Sequence, residues 1–367
     1  MKKKVVLVVK TFFPHTTGGI QEAVSQIIKV KNNEIDFEVV TTGPERKEYF
    51  YQGVKVTCFK ESFSLSSNPI SIEILFNIKS IFKKYDLIHI HSPWPFFEFL
   101  SLFFISSKKL FFTYHCGIFK FFGSNVIYDL FFQLLILKSK RVIFTSSLTL
   151  NKLNPFFGKK KCHVIPLWFD KERIKVSEPS LELKSFLKSL DKYAIFIGSL
   201  RWYKGLDLIL NAAKNNPEFN VVIVGKGNLK KRLEKILAQK RITNVFLLGY
   251  LSDEDTFEFL RNSKFLLLPS TSPAEAFGNV LLEASYFKKP MITTEVGTAT
   301  SYVNKDKFSG IVIKPNNLKQ LEEAMTTLYK NSKLCEKMGL NAYNRLIDKF
   351  SEEKNFQKLK NFYLSEK

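Results

Sequence analysis

The sequence predicts an α/β protein with two doubly wound parallel sheets in tandem, and three observations lead to this prediction. Short runs of β-branched and aromatic residues alternate with helical patterns along the whole chain, which is typical of parallel β-α-β units. Glycine-bearing turns follow several of these runs, at the strand ends where such sheets bind ligands. The length of 367 residues suits two domains better than a single core.

The first half alternates six predicted strands with four predicted helices. The strands are predicted at Val5–Val9, Phe37–Thr41, Val54–Phe59, Leu87–His91, Leu110–Tyr114 and Val142–Thr145. The helices are predicted at Ile20–Val30, Ile70–Lys84, Phe96–Ser106 and Ser124–Lys138. We therefore assign residues 1–170 to a first domain, and the polar run Lys171–Ser180 begins the second as a linker.

The second half repeats the alternation, and residues 171–345 form the second predicted domain. Its strands are predicted at Ala194–Gly198, Asn220–Val224, Val245–Leu248, Phe265–Leu268, Met291–Thr294 and Ile311–Ile313. One or two amphipathic helices are predicted over Leu340–Leu364, and residues 346–367 are assigned to a terminal helical segment.

The composition is basic and rich in phenylalanine. Lys and Arg number 56 against 34 Asp and Glu, a net charge of +22, and there are 37 Phe residues. This composition suits nucleic acid or an anionic membrane surface, but the chain contains no recognisable nucleic-acid reading motif. Lys79, Lys83 and Lys84, in the apolar helix predicted from Ile70, are the candidate membrane contacts. The alternative is that the apolar helices are simply buried.

Compartment signals point to a cytoplasmic protein. The four cysteines are scattered without metal-binding or disulfide spacing, which fits a reducing environment. Val5–Val9 is too short for the apolar region of a signal peptide, and no run approaches the roughly 20 apolar residues of a spanning helix. We expect a soluble or peripherally membrane-associated protein.

The stretch Pro269–Ser285 contains the strongest chemical pattern. A predicted strand ends at Leu268, Glu275 lies in the following polar turn, and Gly278 opens a helical run that contains Glu283. A helix N-terminus after a glycine turn is a ready anion site. Eight residues separate the carboxylates by on the order of 10 Å, too far for the acid/base pair of a retaining glycosidase. We predict that they bind hydroxyls; the alternative is two solvated surface glutamates.

Glu275 and Glu283 form an E-x7-E pattern, flanked by Phe277-Gly278, Leu281-Leu282 and Lys289-Pro290. The pattern in this context resembles the retaining nucleotide-sugar glycosyltransferases of glycosyltransferase family four, which have the GT-B fold. The resemblance is strong over 194–315 and loose over 1–165. It implies two Rossmann-like domains, the first binding an acceptor and the second a nucleotide-sugar, with the C-terminal helix packing back on the first domain. The stretch Glu295–Asn304 is similar to bacterial polysaccharide and O-antigen members.

Basic residues and glycines after strands complete the predicted site. Arg201 and Lys204, three apart, can converge on a diphosphate, although many relatives carry arginine at the position of Ser199. The catalytic set implied by the resemblance is Glu275, His115, Lys204 and Arg201. The implied donor-binding residues are Gly18, Gly19, Arg201, Lys204, Gly225, Tyr250, Phe277, Gly278, Asn279, Val280 and Glu283. Without the resemblance, the alternative interpretation is that Gly18-Gly19 forms an ordinary flexible loop and that His115 has a structural role.

The implied activity is front-face transfer with retention, without a metal or other cofactor. Glu283 is expected to bind the ribose hydroxyls of the donor, Glu275 the hydroxyls of its sugar, and His115 to position that sugar. The expected acceptor is a saccharide or lipid-linked saccharide at the inner face of the cell membrane, in surface-polysaccharide (lipopolysaccharide) assembly, and no nucleic acid is involved. The rival hypotheses are a sugar-nucleotide epimerase or phosphorylase of the same fold, and a non-enzymatic basic membrane- or nucleic-acid-binding protein.

Overall fold

The computed structural model describes residues 2–65, 68–117, 125–154, 159–174 and 181–365. The chain divides into two compact units: unit 1 comprises Met1–Leu167 with Glu353–Lys367, and unit 2 comprises Trp168–Glu352. The predicted boundaries at 170 and 345 fall near these divisions. Residues 175–180 of the predicted linker, and Ser124 of a predicted helix, lie outside the described residues.

Unit 1 is built on one eight-stranded sheet with the order β10-β9-β8-β7-β1-β2-β4-β3, parallel except for β3. Its elements are β1 Lys3–Thr11, α1 Gly19–Lys29, β2 Ile35–Gly43, β3 Lys47–Tyr51, β4 Val54–Lys60, β5 Phe63–Leu65, β6 Asn68–Ile70, α2 Ile72–Phe82, β7 Leu87–Ser92, α3 Pro95–Phe104, β8 Leu110–Tyr114, α4 Asn125–Lys138, β9 Arg141–Phe144, α5 Ser147–Leu153 and β10 Cys162–Val164. The six strands predicted in the first half are confirmed.

The strands that the sequence did not predict are short or exposed. β3 pairs antiparallel with β4 at the sheet edge through a turn in which Gln52 and Gly53 both have positive φ. Such a turn twists in the same sense as the strands it joins. None of the five residues of β3, KEYFY, is fully buried, and three of them are exposed. The strand therefore lacks the continuous apolar run that is typical of a buried parallel strand.

Helix α2 begins later than predicted. Ile70 lies in β6, and the side chain of Ser71 accepts a hydrogen bond of 3.5 Å from the backbone N–H of Ile74. A serine that caps the first turn has extended backbone and fixes the helix start. The predicted helix Ile70–Lys84 is therefore Ile72–Phe82.

The centre of unit 1 is apolar and also receives the C-terminal helix. Residues Val5–Val9 of β1 are fully buried, which explains why this central parallel strand is a continuous apolar run. The ring centroid of Tyr363 lies 6.0 Å from that of Phe37 and 6.1 Å from that of Phe111. The predicted return of the C-terminal helix to the first domain is thereby confirmed.

Unit 2 is a six-stranded parallel sheet with the order β13-β12-β11-β14-β15-β16. Its elements are α6 Leu181–Ser189, β11 Tyr193–Ile197, α7 Leu206–Asn215, β12 Asn220–Val224, α8 Lys230–Lys240, β13 Val245–Gly249, α9 Asp253–Asn262, β14 Phe265–Leu268, α10 Val280–Tyr286, β15 Met291–Thr294, α11 Ala299–Val303, β16 Gly310–Ile313, α12 Leu318–Lys330 and α13 Ser332–Lys349; α14 Glu352–Leu364 follows. All six strands predicted in the second half are confirmed.

The C-terminal segment consists of two helices rather than one. α13 ends at Lys349 and belongs to unit 2, while α14 begins at Glu352 and belongs almost entirely to unit 1. The predicted terminal segment 346–367 thus starts inside α13. The chain changes units at the break between the helices, where the Phe350 N–H still bonds the carbonyl of Leu346 at 2.8 Å.

Candidate functional site

The strand order of unit 2 reverses between β11 and β14, and two predicted site residues lie at this point. Lys204 follows β11 and Glu275 follows β14, two strands that pair directly. The Nζ of Lys204 lies 2.5 Å from Oε2 of Glu275, and Ser270 donates a 3.0 Å hydrogen bond to the same oxygen. All three side chains are buried. Ligands of doubly wound sheets bind at this reversal point.

The loops that carry Lys204 and Glu275 are locked together by backbone. Gly205 has a φ of 72°, and a Cβ there would lie 2.0 Å from the carbonyl oxygen of Pro269. The Thr271 N–H donates to the carbonyl of Tyr203 at 2.7 Å. Only glycine allows this approach, so the close contact between the two loops requires a glycine directly after Lys204.

A third loop supports Glu275, and sequence reasoning did not single out its residue. The hydroxyl of Thr298 donates to the backbone carbonyl of Glu275 at 2.6 Å, and the Ala299 N–H donates to the carbonyl of Ala276 at 3.1 Å. Thr298 lies in the stretch Glu295–Asn304 that resembles polysaccharide-assembly enzymes. That resemblance was the available signal in the sequence. In the structure, Thr298 holds the turn that carries Glu275.

Gly278 makes the turn between Glu275 and α10. Its φ is 77°, and a Cβ there would lie 2.9 Å from Cδ2 of Leu268. The regular helix begins at Val280, with Asn279 already in helical conformation. Phe277 is buried, with its ring centroid 6.2 Å from that of Phe350, so the ring is part of the core and only its backbone is available to a donor.

Glu283 is buried and has a partner that the sequence did not predict. Arg173 donates to Oε1 of Glu283 at 2.8 Å and to Oδ2 of Asp253 at 3.0 Å. Burial raises the pKa of the Glu283 carboxyl, and the guanidinium opposes that rise. Neither glutamate is the solvated surface residue of the alternative hypothesis. Arg173 follows the predicted domain crossover, a position that gave no local signal of a contact with α10.

The remaining donor-site candidates of unit 2 occupy other turns at the same sheet edge. Gly225 has a φ of 146°, and a Cβ there would meet the carbonyl oxygen of Gly198 at 1.9 Å. Tyr250 is 71% exposed, with Nζ of Lys226 4.8 Å from its ring centroid. The Arg201 side chain is exposed. The structure therefore brings Lys204 and Glu275 together and leaves Arg201 and Tyr250 facing solvent.

In unit 1, three histidines lie side by side: His89 and His91 belong to β7, and His115 directly follows β8. Nε2 of His115 is 3.0 Å from Nδ1 of His91, and His89 contacts Tyr363 OH at 2.5 Å and Thr113 Oγ1 at 2.7 Å. Burial lowers the pKa of His89 and of His115 to about 3, and that of His91 well below its usual value. All three rings are therefore neutral at pH 7. Within the described residues, Nε2 of His91 is buried without a hydrogen-bond partner.

Gly18 ends the turn between β1 and α1, and Gly19 is the first residue of α1; both are exposed. The Gln21 amide anchors the turn, because its Nε2 donates to the carbonyl oxygen and to the hydroxyl of Thr11, each at 3.0 Å. A Cβ at Gly18 would lie 2.9 Å from Oε1 of the same glutamine. The turn is thus tight and open to solvent, which is compatible with the predicted approach of a ligand.

Comparisons with known proteins agree with this arrangement. Residues 180–345 match the family model "Glycosyl transferases group 1", and residues 17–173 match "Glycosyltransferase Family 4". The chain is 32% identical over 364 residues to O-antigen chain mannosyltransferase C of Escherichia coli, covering 98% of both chains. It is 29% identical to D-rhamnosyltransferase WbpZ of Pseudomonas aeruginosa, covering 93% of this chain and 91% of the relative.

The fold is also that of solved glycosyltransferases. The Anabaena protein HepE, solved with UDP and glucose, superposes with a TM-score of 0.78 at 16% identity, covering 98% of this chain and 99% of HepE. This likeness shows the GT-B fold. The two family models that match the chain and its full-length similarity to the mannosyltransferase establish that the chain belongs to glycosyltransferase family 4.

Proposed function

We propose that this protein is a retaining glycosyltransferase that moves a mannose-configured sugar from a nucleoside-diphosphate donor to a saccharide of a bacterial surface polysaccharide. The observation that carries the proposal is the buried cluster of Lys204, Glu275 and Ser270 at the reversal of the unit 2 sheet. The two full-length relatives are named for mannose and D-rhamnose transfer, and D-rhamnose is 6-deoxymannose. Their shared sugar configuration supports the choice of donor.

The cluster has the chemistry of a leaving-group clamp. Lys204 and Arg201 supply positive charge to the diphosphate as the bond from the sugar C1 to the phosphate oxygen breaks, so no metal ion is required for charge neutralisation. The acceptor oxygen bonds C1 on the same face, and its proton passes to the departing phosphate oxygen. Glu275 binds sugar hydroxyls and Glu283 binds the ribose. Arg173 donates to Oε1 of Glu283, and we propose that Oε2 binds the ribose.

His115 is proposed to contact the transferred sugar as a neutral ring. Because burial lowers its pKa to about 3, the ring is neutral at pH 7. Its Nε2 contacts His91, so Nδ1 is the atom that can form a hydrogen bond with a sugar hydroxyl without adding charge. Gly18 and Gly19 offer exposed backbone to the diphosphate or to the acceptor.

We further propose that the acceptor is lipid-linked and that the enzyme works peripherally at the cytoplasmic face of an anionic membrane. The net charge of +22 supports this proposal, since basic residues are attracted to anionic lipid. Among the described residues, no helix is long and apolar enough to cross a bilayer.

Family membership favours the transferase over the rival hypotheses. An epimerase isomerises a nucleotide-sugar and a phosphorylase cleaves a glycoside with phosphate, so neither transfers a sugar from a nucleotide-sugar to an acceptor. A basic membrane- or nucleic-acid-binding protein needs no buried lysine–glutamate pair at the sheet edge.

A donor panel tests the proposal. GDP- and UDP-linked mannose, D-rhamnose, glucose and galactose are each added to the full-length protein, and the melting temperature is recorded. A mannose-configured donor should raise it in proportion to affinity. Slow donor hydrolysis, followed by proton NMR, should release the sugar first as the α-anomer from an α-linked donor. Isomerised nucleotide-sugar, or no response to any donor, contradicts the proposal.

A further inference from the structure

Polar side chains form a row on one face of the unit 1 sheet. His89 and His91 alternate along β7, and the strand register pairs His91 with Thr113 of β8. Side chains two residues apart on a strand point to the same face, so His115, two residues after Thr113, extends the row. Ile90, between the first two histidines, belongs to the apolar core on the opposite face. We call His89, His91 and His115 the histidine row.

His89 has the contacts of a structural histidine. Both of its ring nitrogens meet buried hydroxyls: Nδ1 lies 2.5 Å from Tyr363 OH, and Nε2 lies 2.7 Å from Oγ1 of Thr113. Its ring centroid is 4.6 Å from that of His91. The hydrogen-bonding capacity of His89 is therefore used within the fold, and its ring is a fixed wall beside His91.

His91 is bonded differently. Its Nδ1 lies 3.0 Å from Nε2 of His115, and the two ring planes differ by 23°. Its own Nε2 is buried without a hydrogen-bond partner among the described residues. A buried polar atom without a partner costs stability. Leucine at this position would avoid that cost, so the stability of the fold does not by itself account for a histidine here.

The contact with His91 fixes the proton on the His115 ring. Burial lowers the pKa of both histidines, so each ring is neutral at pH 7 and carries one N–H and one lone pair. Of the two facing nitrogens, one therefore donates and the other accepts. The hydrogen bond of one ring nitrogen sets which nitrogen carries the proton. Because Nε2 of His115 is held by His91, Nδ1 of His115 has a single hydrogen-bonding role.

We propose that His91 is a positioning residue for the transfer reaction, which holds the His115 ring in one orientation and one tautomer so that its Nδ1 meets a hydroxyl of the donor sugar. The proposal rests on the proposed function, in which His115 contacts the transferred sugar. His91 acts through His115, because its own ring is buried and its bonded nitrogen faces that residue.

A purely structural role for His91 makes a different prediction about stability. If the ring only filled the core, its replacement would lower stability and activity together. The contacts predict otherwise for His91→Leu. This substitution removes one unpartnered buried atom, Nε2 of His91, and leaves another, Nε2 of His115. The two effects oppose each other, so the melting temperature should stay close to that of wild type.

Kinetics of the full-length protein test the positioning role. His91→Leu should lower kcat by about 10- to 100-fold, because a reacting group that is slightly misplaced is costly in rate. The KM for the donor should change little, because most of the proposed donor contacts lie in unit 2. His91→Asn should restore most of kcat, since its amide nitrogen is one bond from Cγ, as Nδ1 is, and the amide can donate or accept.

His163→Asn is the matched control. His163 also lies on a strand of unit 1, β10, but outside the histidine row. The same change of side chain should therefore leave kcat at the wild-type value. A comparable kcat loss in His163→Asn and His91→Leu would mean that any substitution in this sheet impairs the enzyme, and it would overturn the specific role of His91.

Nitrogen NMR of the histidine rings reads the tautomer without an activity measurement. The chain has five histidines, so selective 15N-histidine labelling gives few signals, and His115→Gln assigns those of His115. In wild type, long-range proton–nitrogen correlations should show one protonated and one unprotonated ring nitrogen for His115. His91→Leu should move both signals toward averaged values, and His91→Asn should restore the wild-type pattern.

Two outcomes overturn the proposal directly: unchanged His115 signals in His91→Leu, or a wild-type kcat in that variant. A kcat loss that accompanies a large fall in melting temperature, and that His91→Asn does not restore, would make His91 a structural residue and overturn it as well. If His91→Leu fails to fold, His91→Gln takes its place with the same outcomes. The glutamine amide nitrogen is two bonds from Cγ, as Nε2 is, so it does not take the position of Nδ1.

The donor response separates this proposal from the proposed function. The His91 variants should keep most of the melting-temperature response to the nucleotide-sugar, because they change unit 1 and the Lys204–Glu275 cluster lies in unit 2. A normal donor response with unchanged His115 signals in His91→Leu removes only the positioning role. No donor response in wild type removes the proposed transferase, whatever the NMR spectra show.

Discussion

The ammonium of Lys204 lies 2.5 Å from a carboxylate oxygen of Glu275, and both side chains are buried although 71 residues separate them. In the free protein, each group neutralises the other. Under the proposed function, a diphosphate that binds Lys204 adds a second anion to the same ammonium and leaves Glu275 to accept hydrogen bonds from sugar hydroxyls. The proposed role of the pair is therefore to couple donor binding to the orientation of the reacting sugar.

The first prediction separates the stability of this pair from its catalysis. Lys204→Met should lower turnover, because about 3 kcal/mol of transition-state stabilisation is lost. It should also lower the free energy of unfolding by about 3–5 kcal/mol, because it leaves the buried Glu275 carboxylate without its cation. The double variant Lys204→Met/Glu275→Gln should recover stability without recovering turnover. Urea unfolding and steady-state kinetics measure the two effects.

The control for this prediction is Lys230→Met. Lys230 pairs with Glu234 at 3.8 Å, and both side chains are about half exposed. Loss of an exposed pair should cost at most about 0.5 kcal/mol. If Lys204→Met turned over at the wild-type rate, the clamp assignment would be wrong.

The second prediction assigns different kinetic effects to the two glutamates. Glu283→Gln should raise KM for the donor with a smaller change in kcat, because ribose contacts are the same in ground and transition states. Glu275→Gln should lower kcat more, because Glu275 is proposed to hold the sugar that reacts. If Glu283→Gln instead lowered kcat more and Glu275→Gln mainly raised KM, the roles assigned to the two glutamates would have to be exchanged.

The third prediction concerns Arg173 as a positioning residue for Glu283. In Arg173→Met the buried carboxyl loses its cation, so its pKa should rise further. The donor KM of the variant should then increase more steeply than that of wild type as pH falls from 8 to 6. Asp253→Asn, which leaves the 2.8 Å contact between Arg173 and Glu283 in place, is the control and should show nearly the wild-type profile. Parallel profiles for all three proteins would leave Arg173 with a purely structural role.

The fourth prediction is a loss of stability in acid. Burial lowers the folded-state pKa of His89 and His115 to about 3, whereas the unfolded chain binds these protons near pH 6.5. The free energy of unfolding is therefore unaffected by these histidines above pH 6.5. As pH falls from 6.5 toward 3, it decreases by up to about 1.4 kcal/mol per pH unit for each histidine. Denaturant unfolding at pH 7.5 and 5.0 should show the decline, and His89→Gln should reduce its slope. An unchanged slope would exclude His89 as a source.

The fifth prediction is that transfer is independent of divalent metal. Rates in excess EDTA should equal rates with added magnesium or manganese if Lys204 and Arg201, as proposed, carry the positive charge opposite the leaving group. Activity that is abolished by the chelator and restored by magnesium would show that the clamp needs a cation that these side chains do not supply.

The sequence by itself determined the two doubly wound sheets and the motif around Glu275 and Glu283. Buried parallel strands such as Val5–Val9 are continuous apolar runs, and a glycine turn between a strand and a helix is encoded within a few residues. Edge strand β3 left no such signal, because its exposed side chains need not follow an apolar pattern.

Only the tertiary structure decided which distant residues meet and which faces remain exposed. The pairs Lys204–Glu275, Arg173–Glu283 and His89–Tyr363 join segments that are far apart in the chain, through contacts that depend on strand order. Local periodicity likewise cannot show whether an apolar helix such as α4 is buried on every side. That depends on what packs against it, and in this fold one face of α4 has no neighbour within the described part of unit 1.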